Sequence, residues 1–129
     1  MIITLRDQKT DVDIDKLIPI VNKAKLKKVK IPMSSFNLMP ITPIFPDTNG
    51  NYWRLIDVLN YRTKNKFFKD HYKRFTNADV KYPIILYGDK DDFEVVDGHH
   101  RIMRQILDNE PFINGVFVNK KQIEKATPD

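Results

Sequence analysis

The sequence predicts an α+β domain in which a small mixed β-sheet is flanked by helices. Short segments rich in β-branched and aromatic residues, such as residues 93–96, have the composition of strands. They alternate with segments, such as residues 102–107, whose apolar side chains recur at helical spacing. At 129 residues and without internal repeats, the chain is expected to form a single domain over residues 1–129.

The N-terminal part is predicted to hold a short edge strand and one amphipathic helix. Residues 2–5 form the strand, and the carboxylates of residues 11–15 can cap the helix. Pro19 lacks an amide hydrogen and is tolerated only near a helix start, so we expect the helix to begin near Lys16. The lysine-rich run over residues 23–30 is either a solvated face or a nonspecific nucleic-acid contact.

The middle of the chain is predicted to be a packed loop followed by a helix. Residues 32–50 contain four of the eight prolines, yet they hold enough apolar side chains to pack rather than to form a linker. Asn49 or Asn51 can cap a helix over residues 52–59.

Basic and aromatic residues interleave over residues 64–75, and two interpretations remain open. In the first, Phe68, Tyr72 and Phe75 recur at i, i+4 and i+7 and form the buried face of an amphipathic helix. In the second, the aromatic rings stack on the bases of single-stranded nucleic acid. The candidate nucleic-acid contacts of this segment are Lys64, Lys66, Lys69, Lys73 and Arg74.

A tight hairpin is predicted next, over residues 84–96. Residues 84–87 and 93–96 are strand-like, and the acidic stretch between them has the composition of a turn. That stretch lacks the ligand spacing and the terminal Glu of a calcium loop. A short C-terminal helix that begins with a capping box is expected from Asn119 onward.

The most specific feature of the sequence is the turn after this hairpin. Asp97 and Gly98 interrupt the strand, and Gly98 can adopt a positive φ at little cost. A helix follows at once, so its first amide hydrogens lack partners and its positive dipole end faces the turn. Gly98 and the backbone after it can therefore hold a phosphate group, with His100 and Arg101 as side-chain contacts.

Three side chains of this turn are candidates for proton transfer. His99, His100 and Asp97 are the candidate general acids or bases, because histidine titrates near neutral pH. The alternative is structural, with Asp97 as a helix cap and Gly98 as a turn residue. No metal site is predicted, since adjacent histidines diverge on a helix and no HExxH or CxxC spacing adds ligands. Strand alternation places Glu94 on the face opposite Asp97, which leaves Asp97 as the one carboxylate for a divalent ion.

Composition restricts the class of protein. A net charge of +5 and a pI near 9.4 favour polyanionic partners such as nucleic acid or nucleotides. The chain has no cysteine, which excludes thiolate chemistry and suits a cytoplasmic protein. No apolar run of 18 residues exists, so no membrane span is expected. Abundant Lys, Asn and Ile with little Ala are typical of A/T-rich genomes such as those of phages.

The Asp-Gly-His-His-Arg turn resembles the signature of the ParB/sulfiredoxin superfamily, in which a strand–turn–helix binds the phosphates of a nucleotide. Sulfiredoxins have Gly-Cys-His-Arg there, so Gly98, His100 and Arg101 match and His99 replaces the reactive cysteine. The resemblance covers roughly residues 29–118. The flanking segments that resemble family elements, in the family's order, are residues 30–36, 52–59, 81–87 and 111–118.

This resemblance implies a ParB/sulfiredoxin-like fold and a ParB-like nucleotide- and phosphate-binding domain. The implied ligand is ATP or CTP, with or without Mg²⁺, and Arg54 is the nearest basic candidate for a second nucleotide contact. The implied reaction is phosphoryl transfer, as in a phosphotransferase or NTPase, or phosphodiester hydrolysis of DNA, as in a ParB-like nuclease. Sulfinic acid reduction is excluded because the chain has no cysteine. The alternative is a non-catalytic DNA-binding or protein-interaction module that retains the fold.

Overall fold

Five α-helices and eight β-strands form the fold in the computed structural model, which describes residues 1–129. The helices are α1 (Ile14–Ala24), α2 (Leu55–Tyr61), α3 (Lys66–Thr76), α4 (His99–Leu107) and α5 (Lys120–Lys125). The strands are β1 (Ile2–Thr4), β2 (Asp11–Asp13), β3 (Val29–Pro32), β4 (Phe45–Pro46), β5 (Tyr52–Trp53), β6 (Ile84–Gly88), β7 (Phe93–Asp97) and β8 (Phe112–Val118). Two short 3₁₀ helices lie at Met33–Phe36 and Met39–Ile41.

The main sheet has four strands in the order β3-β8-β6-β7 and is mixed. β6 runs antiparallel to β7, as the predicted hairpin requires, and parallel to β8. The other strands form two separate two-stranded antiparallel sheets, β1–β2 and β4–β5. The predicted class, α+β with a small mixed sheet and helices, is confirmed. β2 was not predicted, because its Asp-Val-Asp composition is atypical of strands.

The chain divides into two compact units, and it passes between them several times. The first unit comprises Met1–Lys30, Tyr82–His99 and Asn114–Asp129. The second comprises Ile31–Lys81 and His100–Ile113. One boundary between the units therefore falls inside α4, between His99 and His100.

An aliphatic cluster forms the core of the first unit. Its buried side chains are Leu5, Val12, Ile14, Leu17, Val21, Ile85, Val96, Val116, Val118, Ile123 and Ala126. Asn119 begins α5 with the predicted capping box, since its Oδ1 accepts from the Gln122 amide at 2.9 Å. The reciprocal bond from the Asn119 amide to Gln122 Oε1 measures 2.8 Å.

Helix α1 begins two residues earlier than the sequence predicts. It starts at Ile14 rather than near Lys16, because Asp13 caps it by accepting a hydrogen bond from the Asp15 amide at 3.0 Å. Pro19 therefore lies in the second turn and cannot donate to the Asp15 carbonyl. Both residues are exposed, so water can bond to that carbonyl instead.

An aromatic cluster forms the core of the second unit. Its buried members are Phe45, Leu55, Val58, Phe68, Phe75 and Met103. On α3, Phe68 is 6% exposed and Phe75 is 0% exposed, and Tyr72 packs against the same cluster. The amphipathic-helix interpretation of residues 64–75 is therefore confirmed. Because these rings lie in the core, α3 presents charges rather than stacking surfaces to solvent.

No helix of the protein has both the length and the apolar character that crossing a membrane requires.

Candidate functional site: the turn at Gly98 and a histidine pair

A β-bulge lies immediately before the candidate turn. Leu86 of β6 is opposite Val95 of β7, but the next residue back, Ile85, is opposite Asp97. Val96 is therefore an extra residue in β7, and it is buried. Such bulges bend a strand and redirect the side chains that follow, and they are common beside functional sites.

The bulge changes which face of the sheet Asp97 occupies. Cross-strand partners share a face, so Asp97 lies on the face of Ile85 and Glu94 on the face of Tyr87, which is the same one. The expectation that Glu94 and Asp97 lie on opposite faces is therefore wrong, because it assumed an unbroken alternation. Glu94 is nevertheless engaged elsewhere: its carboxylate accepts from the amide and Nε of Arg6 at 3.0 and 2.9 Å.

The turn has the backbone geometry that the sequence predicts. Gly98 is buried and has φ +119°, a conformation that other L-residues rarely adopt. Helix α4 starts directly after it, at His99, so the amides of its first turn have no partners within the helix. Ile102 and Met103 are fully buried and anchor this end of α4. The predicted strand, turn and helix are confirmed.

His99 is the first residue of α4 and is half-buried. Burial lowers its pKa, and the nearby Asp97 carboxylate opposes the shift only partly. His99 is therefore a neutral imidazole at pH 7, and it could accept a proton rather than donate one.

His100 forms a hydrogen bond with a histidine that the sequence analysis did not single out. Its Nε2 lies 3.1 Å from Nδ1 of His71, which α3 contributes. The two rings are nearly parallel, at 15°, and their centroids are 5.3 Å apart. The distance between the two nitrogens is shorter than the distance between the ring centroids by about two ring radii. The rings therefore meet edge to edge. One nitrogen donates its hydrogen and the other accepts it.

Aromatic rings surround this pair. Phe67 and Phe45 lie 4.7 and 4.9 Å from His71, measured between ring centroids. Phe75 and Phe45 lie 5.4 and 5.9 Å from His100. These contacts restrict how either imidazole can rotate.

The histidine pair accommodates at most one extra proton. If both rings were cationic, two N–H groups would face each other at 3.1 Å. Burial lowers the pKa of His71, and the positive charge of Arg74 adds to that effect, while Asp70 acts against it. His71 is therefore a neutral imidazole at pH 7.

The sequence contains one signal that could have identified His71. Phe67, His71 and Phe75 recur at i, i+4 and i+8, which places His71 on the edge of the aromatic face. Its contact with His100 spans 29 residues, and no local pattern predicts that distance in the chain.

The arginines of this region differ in their roles. Arg101 is a half-buried residue in the first turn of α4. Arg104, one turn later, donates from Nη1 to the carbonyl of Thr76 and from Nε to Asp108 at 2.7 Å. Arg104 thus ties α4 to the end of α3, whereas Arg101 occupies the helix end that favours anions.

Arg54, the second candidate nucleotide contact, forms hydrogen bonds with Asp57 in the first turn of α2. It is the N-cap of α2, and its amide, Nε and Nη2 donate to the Asp57 carboxylate at 2.9, 3.0 and 2.9 Å. These bonds lower the pKa of Asp57. The predicted cap at Asn49 or Asn51 is wrong, because α2 begins only at Leu55.

The basic residues predicted from residues 64–75 lie on and beside the outer side of α3. Lys66, Lys69, Lys73 and Arg74 are exposed and form no ion pair within 4.0 Å. Lys64 precedes the helix and lies over the ring of Tyr61, 5.5 Å from its centroid. Residues 61–76 carry six Lys or Arg and one Asp, which is +5 and equals the net charge of the whole chain.

No protein-family model, no curated protein and no solved structure matches this chain. No group of three or more His, Cys, Asp or Glu side chains is arranged to hold a metal ion.

Proposed function

We propose that the chain is a ParB-like phosphate-binding domain, in which residues 98–101 hold the phosphate groups of ATP or CTP. One observation carries the proposal: Gly98, at φ +119°, delivers a strand directly into the N-terminus of α4. A residue without a side chain lets phosphate oxygens approach the backbone, and the helix end supplies amide donors and a positive dipole.

The side chains of the first turn of α4 complete the binding site. Arg101 would form charge-assisted, bidentate hydrogen bonds with phosphate oxygens, each worth about 1.5–3 kcal/mol. His100 would donate a further bond. Mg²⁺ commonly binds one or two carboxylates together with substrate phosphates, and Asp97, directly before Gly98, is the carboxylate that would contact it.

The reaction that fits this arrangement is phosphoryl transfer or phosphodiester hydrolysis. Both reactions depend on positioning and charge neutralisation more than on covalent chemistry. His99 is neutral at pH 7 and would act as the general base, with Asp97 beside it.

Calorimetric titration with ATP, CTP and GTP, each with Mg²⁺, tests the proposal. We expect saturable binding of at least one nucleotide, and we expect Arg101→Ala to weaken it by about tenfold or more, from the loss of a charge-assisted bond. Arg62→Ala is the matched control, because it removes the same charge from an exposed position beside Tyr72. Absence of binding by the folded wild-type protein, or equal effects of the two substitutions, would refute the proposal.

The basic side of α3 supports a second candidate, a non-catalytic nucleic-acid-binding module. Three exposed lysines without an ion pair lie along one side of this helix. Each phosphate that a lysine neutralises releases counterions, so log K falls as log salt rises, with a slope of about −0.9 per contact. The triple substitution of Lys66, Lys69 and Lys73 by Gln should therefore reduce the magnitude of the slope of log K against log salt by about 2.7 for duplex DNA. The matched control substitutes three exposed lysines of another helix, Lys120, Lys121 and Lys125 of α5, by Gln.

These variants also separate the two candidates. Under the nucleotide-binding proposal, the α3 triple variant binds ATP or CTP like the wild type. Under the second candidate, Arg101→Ala leaves DNA binding nearly unchanged. Equal loss of DNA binding in the α3 variant and in its control would show that only net charge matters, and the α3 surface would not be a specific interface.

A further inference from the structure

We propose that His71 is a positioning residue for His100: it holds Nε2 of His100, so that Nδ1 is the nitrogen that meets a phosphate group. This inference rests on the proposed function, because it assigns a phosphate contact to His100. It adds a residue from a different helix to the candidate site.

The hydrogen bond between the two rings carries the first step. With Nε2 of His100 held 3.1 Å from Nδ1 of His71, any proton that His100 exchanges with a ligand passes through its other ring nitrogen. Fixing one nitrogen of an imidazole by a hydrogen bond sets the tautomer and the orientation of the ring.

The packing of α3 carries the second step. His71 lies between Phe67 and Phe75 along the helix, and Phe68 and Phe75 are buried in the core of the second unit. The His71 ring is thus supported by a rigid element rather than by a loop, and supports of this kind position functional side chains accurately.

The hydrogen between the two rings carries the third step. A neutral His71 can hold its hydrogen on Nδ1 and donate it to Nε2 of His100, 3.1 Å away. His100 then carries its own hydrogen on Nδ1, from which it can donate to a phosphate oxygen. Burial lowers the pKa of His71, which is consistent with a neutral ring there.

A purely structural role predicts something different. If His71 only fills space, the His71→Phe protein should bind nucleotide as well as the wild type, because both rings can pack against Phe45 and Phe67. If the hydrogen bond from Nδ1 of His71 is what counts, asparagine should preserve nucleotide affinity better than phenylalanine, because its side-chain amide can reach the position of Nδ1.

Two variants and two measurements test the inference. In His71→Phe, we expect the affinity for ATP or CTP to fall about 3- to 10-fold, the range of one hydrogen bond. In His71→Asn, we expect most of that loss to be restored. Imidazole ¹⁵N shifts, recorded without nucleotide, should show one tautomer of His100 in the wild type and in His71→Asn, but a mixture in His71→Phe. The chain has only three histidines, which makes the assignment tractable.

The outcomes distinguish this inference from the proposed function. Equal nucleotide affinity of wild type and His71→Phe would overturn the role of His71 and leave the phosphate site standing. Lower affinity with unchanged His100 shifts would also overturn it, because the effect would not pass through His100. Absence of nucleotide binding by the wild type would instead overturn the proposed function, and with it the phosphate contact that His71 is inferred to support.

Discussion

Replacing Gly98 by alanine tests the backbone conformation on which the phosphate site depends. Gly98 has φ +119°, and holding a residue with a side chain in such a region costs about 1–3 kcal/mol. Unfolding entropy near 2.1 cal/mol/K per residue gives about 0.27 kcal/mol/K for 129 residues. We therefore expect Gly98→Ala to lower the melting temperature by about 4–11 °C.

Alanine substitutions at two other glycines serve as references for this change in melting temperature. Gly50 has φ +83° in open space, so Gly50→Ala has backbone strain without a clash. Gly88 has φ +122°, and a Cβ there would lie 2.4 Å from the Asp92 carbonyl oxygen, so Gly88→Ala should be the most destabilising of the three. Calorimetric melting of all three variants gives the comparison. A Gly98→Ala protein as stable as the wild type would refute the strained turn, and with it the close approach of phosphate to this backbone.

Two further predictions concern stability. The pKa values of His71 and His99 are lowered in the folded protein, so the unfolded chain binds more protons below its ordinary histidine pKa near 6.5. Urea denaturation should show the free energy of unfolding decreasing as pH falls from 7 to 5, and His71→Phe should flatten that dependence; a pH-independent value would contradict the buried neutral histidines. Asp57, whose pKa is also lowered, adds stability that is lost only as pH falls below 4, outside this window. Phe75→Ala removes a fully buried ring that contacts His100 and should destabilise the protein by about 3–5 kcal/mol in the same assay; a loss under 1 kcal/mol would show that this core is loosely packed.

The elements that the sequence predicts well are those encoded by neighbouring residues. The hairpin before Gly98 and the helix after it follow from periodicity and from two glycines, and both are confirmed. The capping box at Asn119 is likewise local and is confirmed. In each case the interactions that decide the structure lie within a few residues of the pattern that predicts them.

The features that the sequence does not predict depend on contacts between distant or irregular positions. The bulge at Val96 depends on the register with β6, so alternation alone misplaces Asp97 relative to Glu94. Helix α2 is capped by Arg54, a residue type that capping preferences do not favour, because Asp57 lies within reach of its guanidinium. His71 was missed because its partner is 29 residues away on another helix.

The concentration of charge on α3 gives salt two opposite effects. Lys69 and Lys73 lie one helical turn apart, where like charges repel, and no ion pair relieves that repulsion. Added salt screens the repulsion and stabilises the fold, whereas it weakens any polyanion held by the same lysines. Ionic strength thus separates the part these lysines play in folding from the part they play in binding.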